Sequence, residues 1–196
     1  DTRYTTVANS KIFSMLKKGK APRLTLQLSF NYNIGHLDLA GDENTVFRRA
    51  DFESGSTFGT RYGYGVALTG KLALHKAGNL RLNVTTAYNR FQSNFVISES
   101  PEGRVVYNVF SGALGIENNF SPAKKFKPFV GFDIDVNMIS GNAILKSDTA
   151  DFNVKIKNSV RFGLSFNLGF EYAFNNKVGF NFGYKITHAN IIGKEN

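Results

Sequence analysis

Cysteine is absent from the chain, and disulfide staples and thiolate chemistry are absent with it. No run of about 18 apolar residues occurs anywhere, so no segment can cross a membrane as a helix. Tryptophan is missing, methionine occurs twice and proline four times. Acids are scarce beside bases: 15 Asp and Glu against 24 Lys and Arg, a formal net charge of +9. The sequence opens at Asp1 without a basic–apolar leader, which reads as a mature chain whose export signal has been removed. Mean hydropathy is negative. That average does not exclude a membrane protein built from strands, because alternating polar and apolar residues cancel in any window.

What the chain has is alternation. In residues 160–174, Val160, Phe162, Leu164, Phe166, Leu168, Phe170, Tyr172 and Phe174 alternate with Arg161, Gly163, Ser165, Asn167, Gly169, Glu171 and Ala173. A period of two gives a strand with one apolar and one polar face. The segment is far longer than the usual five or six residues of a globular strand and longer than the roughly 9–11 needed to cross a bilayer. Its polar face is mostly small: Gly, Ala, Ser and Asn. Small residues suit a crowded interior where facing strands meet, which sends the Phe, Leu and Val side chains to lipid. A soluble ligand-binding barrel has the opposite polarity, apolar inside and long polar side chains outside.

Six more segments repeat the pattern: 23–33, 60–74, 80–91, 105–120 (weak at its start), 128–139 and 178–190. The links alternate in length. Residues 75–79, 121–127 and 175–177 are short and built from Gly, Asn, Pro and Lys, whereas 34–59, 92–104 and 140–153 are long. Tyr32, Tyr62, Tyr64 and Tyr88 gather toward the long-loop end, and Phe120, Phe126, Tyr172 and Phe174 toward the short-turn end. Seven in-phase strands with segregated loops and two aromatic levels resemble the small bacterial outer-membrane β-barrels, the eight-stranded OmpA-like and OmpX-like class. The resemblance covers roughly residues 23–190 and rests on pattern rather than on a motif. It implies an all-β, antiparallel, up-and-down transmembrane barrel, integral to the outer membrane of a Gram-negative-type bacterium, with its long loops outside the cell.

Seven strands leave two edges, which lipid does not tolerate because every backbone group there needs a partner. Two routes to an eighth strand are open. One is a strand after residue 196, with 191–196 starting a fourth outer loop. The other is residues 4–16 running down and turning through 17–21. The organisation expected is an N-terminal segment over 1–22, a linker or weak strand, and a barrel domain over 23–196.

Charge is segregated. Residues 11–23, 71–81, 121–127 and 175–177 carry bases and no acid, whereas acids outnumber bases in the three long loops. Bases on hairpin turns, without a recognition helix or a stacking platform, argue against nucleic acid and for the phosphates of membrane lipids. The interior face carries both signs: Arg61, Lys71, Arg81, Arg161 and Lys185 against Glu117, Asp133, Asp135 and Glu171. Trapped charges must pair or be hydrated. Height along the strands places Lys185 level with Asp133 and Asp135, and Lys71 and Arg81 nearer Glu117 and Glu171. Such pairs either plug the barrel or, by exchanging partners, gate a narrow water path.

Catalysis finds no constellation. His36 falls in a loop, His75 in a turn, and His188 on the outward face, away from the inward Ser111 and Ser165, so no nucleophile–base pair forms. The run His36–Leu37–Asp38–Leu39–Ala40–Gly41–Asp42–Glu43 lacks the ligand spacing of a calcium loop. No enzyme, metal or cofactor is expected. In loop 34–59, Phe47, Arg48, Arg49, Phe52 and Phe58 either form a protein-binding surface or fold the loop back over the barrel mouth. The function expected is structural or surface-recognition, through the outer loops. The alternatives are a narrow pore or conduit for small, hydrophobic solutes and, as a non-membrane reading, a soluble ligand-binding barrel.

Overall fold

The computed structural model describes residues 23–34, 62–96, 102–146, 151–175 and 178–192. All seven elements are strands: β1 (Leu24–Ile34), β2 (Tyr62–Ala73), β3 (Leu80–Val96), β4 (Glu102–Asn119), β5 (Phe126–Lys146), β6 (Asp151–Ala173) and β7 (Gly179–Ile192). They form one antiparallel sheet in strict sequence order, each strand paired with the next. The sheet is an up-and-down meander curled on itself.

Its two faces follow the alternation. On the convex face Leu26, Leu28, Phe30, Val84, Leu114, Ile116, Ile134, Phe162, Phe166, Phe180 and Phe182 are exposed. On the concave face Lys71, Arg81, Asn83, Glu117, Asp133, Asp135, Asn137, Arg161 and Ser165 are buried. A soluble barrel would show the reverse, so the soluble reading falls. Among the described residues, two of the departures from simple parity have a clear cause. Phe170 is half-buried because its ring packs between Phe126 and Phe182, 5.1 and 5.8 Å away. Gly183 is exposed because β7 is an edge of the sheet, with no described strand beyond it to cover its concave side.

Aromatic rings mark two levels. Tyr32 stacks on Tyr62 at 6.0 Å and tilts against Tyr64 at 5.4 Å. At the opposite end Tyr172 meets Phe174 edge-on at 5.7 Å. Rings with an apolar body and a polar tip settle at the boundary between lipid and water.

The short links at this second end are tight. In 75–79 the backbone N–H of Gly78 donates to the carbonyl of His75 at 2.9 Å, and Gly78 takes a φ of 74°, a left-handed conformation that glycine adopts without a Cβ penalty. The long links differ from their expected extents. Residues 92–104 and 140–153 are mostly strand: β3 and β4 stay paired out to Val96↔Glu102, and β5 and β6 out to Lys146↔Asp151. Beyond the bilayer neither lipid nor a polar interior enforces alternation, so the ladder continues without its period-two signature. Between Ile139 and Gly141 the register slips, so that Ser140 opposes both Lys157 and Asn158 in a β-bulge.

Among the described residues nothing pairs with the free edges of β1 and β7. Both routes to an eighth strand, residues 4–16 and a segment after residue 196, lie outside the described residues, as do residues 1–22 as a whole; β7 itself runs on to Ile192, past the expected start of a fourth outer loop at 191.

Two close approaches require glycine on the concave face. A Cβ on Gly115 would fall 2.0 Å from Asp133 Oδ1 and 2.3 Å from the backbone carbonyl of Phe132. At Gly169 it would fall 2.3 Å from the Phe182 carbonyl and 2.8 Å from Phe129 Cζ. The Asp133 carboxylate and the inward Phe129 ring use the space that these residues leave empty. Gly115→Ala is expected to cost about 1–3 kcal/mol, read from the urea midpoint of the detergent-folded protein. Gly112→Ala, where an added Cβ meets nothing within 4 Å, serves as the control.

Candidate functional site: the charged interior

The concave face gathers its charges at two heights. Nearest the short turns, β2, β3, β4 and β6 each contribute one. Lys71 Nζ lies 2.8 Å from Glu117 Oε2 and 2.8 Å from Glu171 Oε1. The Arg81 guanidinium lies 2.8 Å from Glu171 Oε2 and 3.5 Å from Glu117 Oε1. The register explains half of this: Arg81 and Glu117 are direct cross-strand partners, and Lys71 faces Asn83 on the neighbouring strand. The other half comes from curvature, because Glu171 reaches Lys71 and Arg81 from β6, across the hollow of the sheet. Two cations shared by two carboxylates leave each charge compensated twice. The Lys71 ammonium also sits 4.8 Å above the Phe129 ring, a cation–π contact that closes one side of the cluster.

One level higher, Lys185 on β7 donates to Asp133 Oδ2 and to Asp135 Oδ1 of β5, both at 3.1 Å. Neutral groups complete the set. Asn167 Nδ2 donates to Asp133 Oδ2 at 2.7 Å, Ser165 Oγ bonds Asp135 Oδ2, and Ser165 and Thr187 hydroxyls meet at 2.8 Å. The two carboxylates are buried, whereas the Lys185 side chain is 38% exposed on the open side of the sheet. A buried pair of like charges two residues apart is held by one cation plus directed hydrogen bonds.

Not every inward charge joins these sets. Arg161 is buried on the concave face, and its Nε donates to Ser159 Oγ at 3.0 Å, but no described carboxylate comes within ion-pair distance. Arg61 and the loop residues Phe47, Arg48, Arg49, Phe52 and Phe58 lie outside the described residues, as does His36.

Two features escaped the sequence. The first is Phe129, an aromatic ring on the polar face, whose signal is the pair of glycines on its β6 side: its register partner Gly169, and through it Gly183. The second is the interior above the outer aromatic level, where Phe91, Val105, Tyr107, Val109, Ile139 and Ala143 are all buried. These inward positions have the parity of Asp133 and Glu117 but the opposite chemistry. Toward the outer end the hollow is lined by apolar side chains; toward the short turns it is lined by interlocked charges.

A curled up-and-down sheet that is apolar outside, charged inside and girdled by aromatics at two heights defines a transmembrane β-barrel protein. The family model for the outer membrane protein beta-barrel domain matches residues 17–196, and the chain belongs to that family. It is an integral protein of the outer membrane, in contact with membrane lipid around its convex face. No curated protein and no solved structure matches the chain.

Proposed function

We propose that this barrel does not conduct and that its role lies at its outer end, as a membrane-embedded scaffold presenting its long connections for surface recognition, without a catalytic function. The observation that carries this reading is the Lys71–Arg81–Glu117–Glu171 cluster, which ties four strands together across the hollow at 2.8–3.5 Å. An eight-stranded barrel has an interior just wide enough for its own side chains. With the interior occupied by structure, specificity falls to the connections, of which 35–61 is the longest.

Planar-bilayer recording tests the first half of the proposal. The intact protein is expected to give no discrete conductance steps, whereas Lys71→Ala combined with Glu171→Ala opens the short-turn end and produces them. Deleting residues 42–56 tests the second half: the barrel is expected to fold in detergent with its usual gel shift on boiling, while adhesion to a surface partner is lost.

One observation favours a pore. Lys185 is the most accessible of the interior ion-pair partners and bridges two carboxylates, so it is able to exchange between them. If the intact protein conducts, Lys185→Ala is expected to raise the conductance and favour cations, because Asp133 and Asp135 lose their counter-charge. An unchanged conductance in that variant removes Lys185 from the path.

A further inference from the structure

The polarity of the sheet inverts at the outer aromatic level. Below it, outward side chains are apolar and inward ones polar. Above it, inward Val105, Tyr107, Val109 and Ile139 are buried, while the outward positions turn mostly polar, with buried Val106 and half-buried Ile144 as the exceptions. The change is abrupt. On β4 outward Phe110 is followed by Asn108, on β5 Met138 by Ser140, and on β6 Val160 by Asn158. Each pair is two residues apart, about 7 Å along a strand. The inversion marks the outer boundary of the hydrocarbon, so these polar positions stand at headgroup depth and face away from the barrel.

At that height the outward surface is notched. A cavity of about 560 Å³ opens between β4, β5 and β6, lined by Asn108, Ser140, Asn142, Asn153, Lys155 and Asn158. The β-bulge at Ser140 shapes it, because Lys157 and Asn158 share one opposing residue there and the two strands bend locally. The phenol of Tyr88 donates to Asn108 Oδ1 at 2.7 Å, which leaves the NH₂ of Asn108 as the group it offers a ligand. Amides and a hydroxyl provide donors and acceptors side by side, the complement of vicinal sugar hydroxyls. Lys155 in the notch and Arg90 and Arg104 on the same outward surface are exposed cations, and no carboxylate joins them among the described side chains at this height. Among the described residues that line the notch there is no aromatic side chain of the kind that anchors a protein-binding centre.

We propose that this notch binds the phosphorylated sugar headgroup of an outer-leaflet glycolipid. The amides of Asn108, Asn142, Asn153 and Asn158 hold the sugar, and Lys155, with Arg104 near the rim, meets the phosphate. The acyl chains then lie down the apolar convex face over Phe110, Met138 and Val160, so one lipid satisfies both sides of the inversion.

The test refolds the intact chain into vesicles of phosphatidylcholine alone, phosphatidylcholine with phosphatidylglycerol, and phosphatidylcholine with lipopolysaccharide, then extracts it in mild detergent and weighs the retained lipid by native mass spectrometry. Lipopolysaccharide is expected to remain on the wild-type protein at one equivalent, and phosphatidylglycerol is not. Lys155→Gln and, separately, Asn142→Ala with Asn158→Ala are expected to weaken retention about tenfold each, the loss of one or two directed hydrogen bonds to a charged headgroup. Lys124→Gln, at the short-turn end, is expected to change nothing. The Lys155→Gln variant alters one exposed side chain and keeps the test informative if the double variant fails to fold. Equal retention of lipopolysaccharide by the wild-type protein and Lys155→Gln overturns the proposal. So does equal retention of phosphatidylglycerol, which would reduce the notch to general attraction for anions.

Discussion

Replacing Arg81 by Met is expected to destabilise the barrel by about 3–5 kcal/mol, the cost of removing one partner from a buried ion pair. Arg81 is 2% exposed and lies within ion-pair distance of both Glu117 and Glu171. Without it, two carboxylates in the same buried slice share the single ammonium of Lys71, and one must either take up a proton or draw in water. Met keeps most of the side-chain volume, so the loss reports charge rather than packing. The companion variant Arg81→Met with Glu171→Met removes one charge of each sign and leaves the Lys71–Glu117 pair at 2.8 Å. It is expected to recover most of the lost stability, because replacing a whole buried pair by apolar groups is often neutral. Urea titrations in vesicles, read by the gel shift of folded protein, measure both. A single variant as stable as the wild-type protein would mean that the cluster is hydrated and contributes little.

The sheet was legible because two different solvents act on its two faces. Wherever lipid meets one side of a strand and packed neighbours the other, the period is forced to two, and residues 160–174 or 178–190 can be read directly. The interior pairs were legible for the same reason. Strand parity puts Lys185, Asp133 and Asp135 on one face, and counting from the short turns puts them at one height.

Legibility ends where that pressure ends. Past Phe110 and Met138 the strands leave the hydrocarbon, and the ladder is held by backbone hydrogen bonds and by apolar residues such as Val105 and Tyr107, which move to the inside. Alternation weakens there, so 92–104 and 140–153 read as loops although they are mostly paired strand. The bulge at Ser140 is invisible in sequence because one residue opposing two leaves no compositional mark. Curvature is the other hidden quantity. Register alone brings Arg81 to Glu117, but only the closing of the sheet brings Glu171 from β6 to Lys71 on β2. Arg161, which pattern alone groups with the other interior charges, instead settles against Ser159 because its register partner is Asn137 and not a carboxylate.

The second large effect belongs to the convex face. Phe166 lies midway between the inner ring of Tyr172 and the outer level of Val160 on β6, is 44% exposed, and has Phe132 and Ile186 as its register partners. Phe166→Arg is expected to cost about 2–4 kcal/mol, because a guanidinium at the bilayer midplane has neither water nor a counter-ion within reach. Asn94→Arg, on the same convex face but beyond the outer aromatic level, is expected to cost about 0–1 kcal/mol, since its headgroup surroundings hydrate the charge. Both variants are compared by urea titration of protein refolded into phosphatidylcholine vesicles. In detergent micelles the difference should shrink, because a micelle deforms around a charge more readily than a bilayer does. An equal loss at both positions would mean that Phe166 does not face the hydrocarbon.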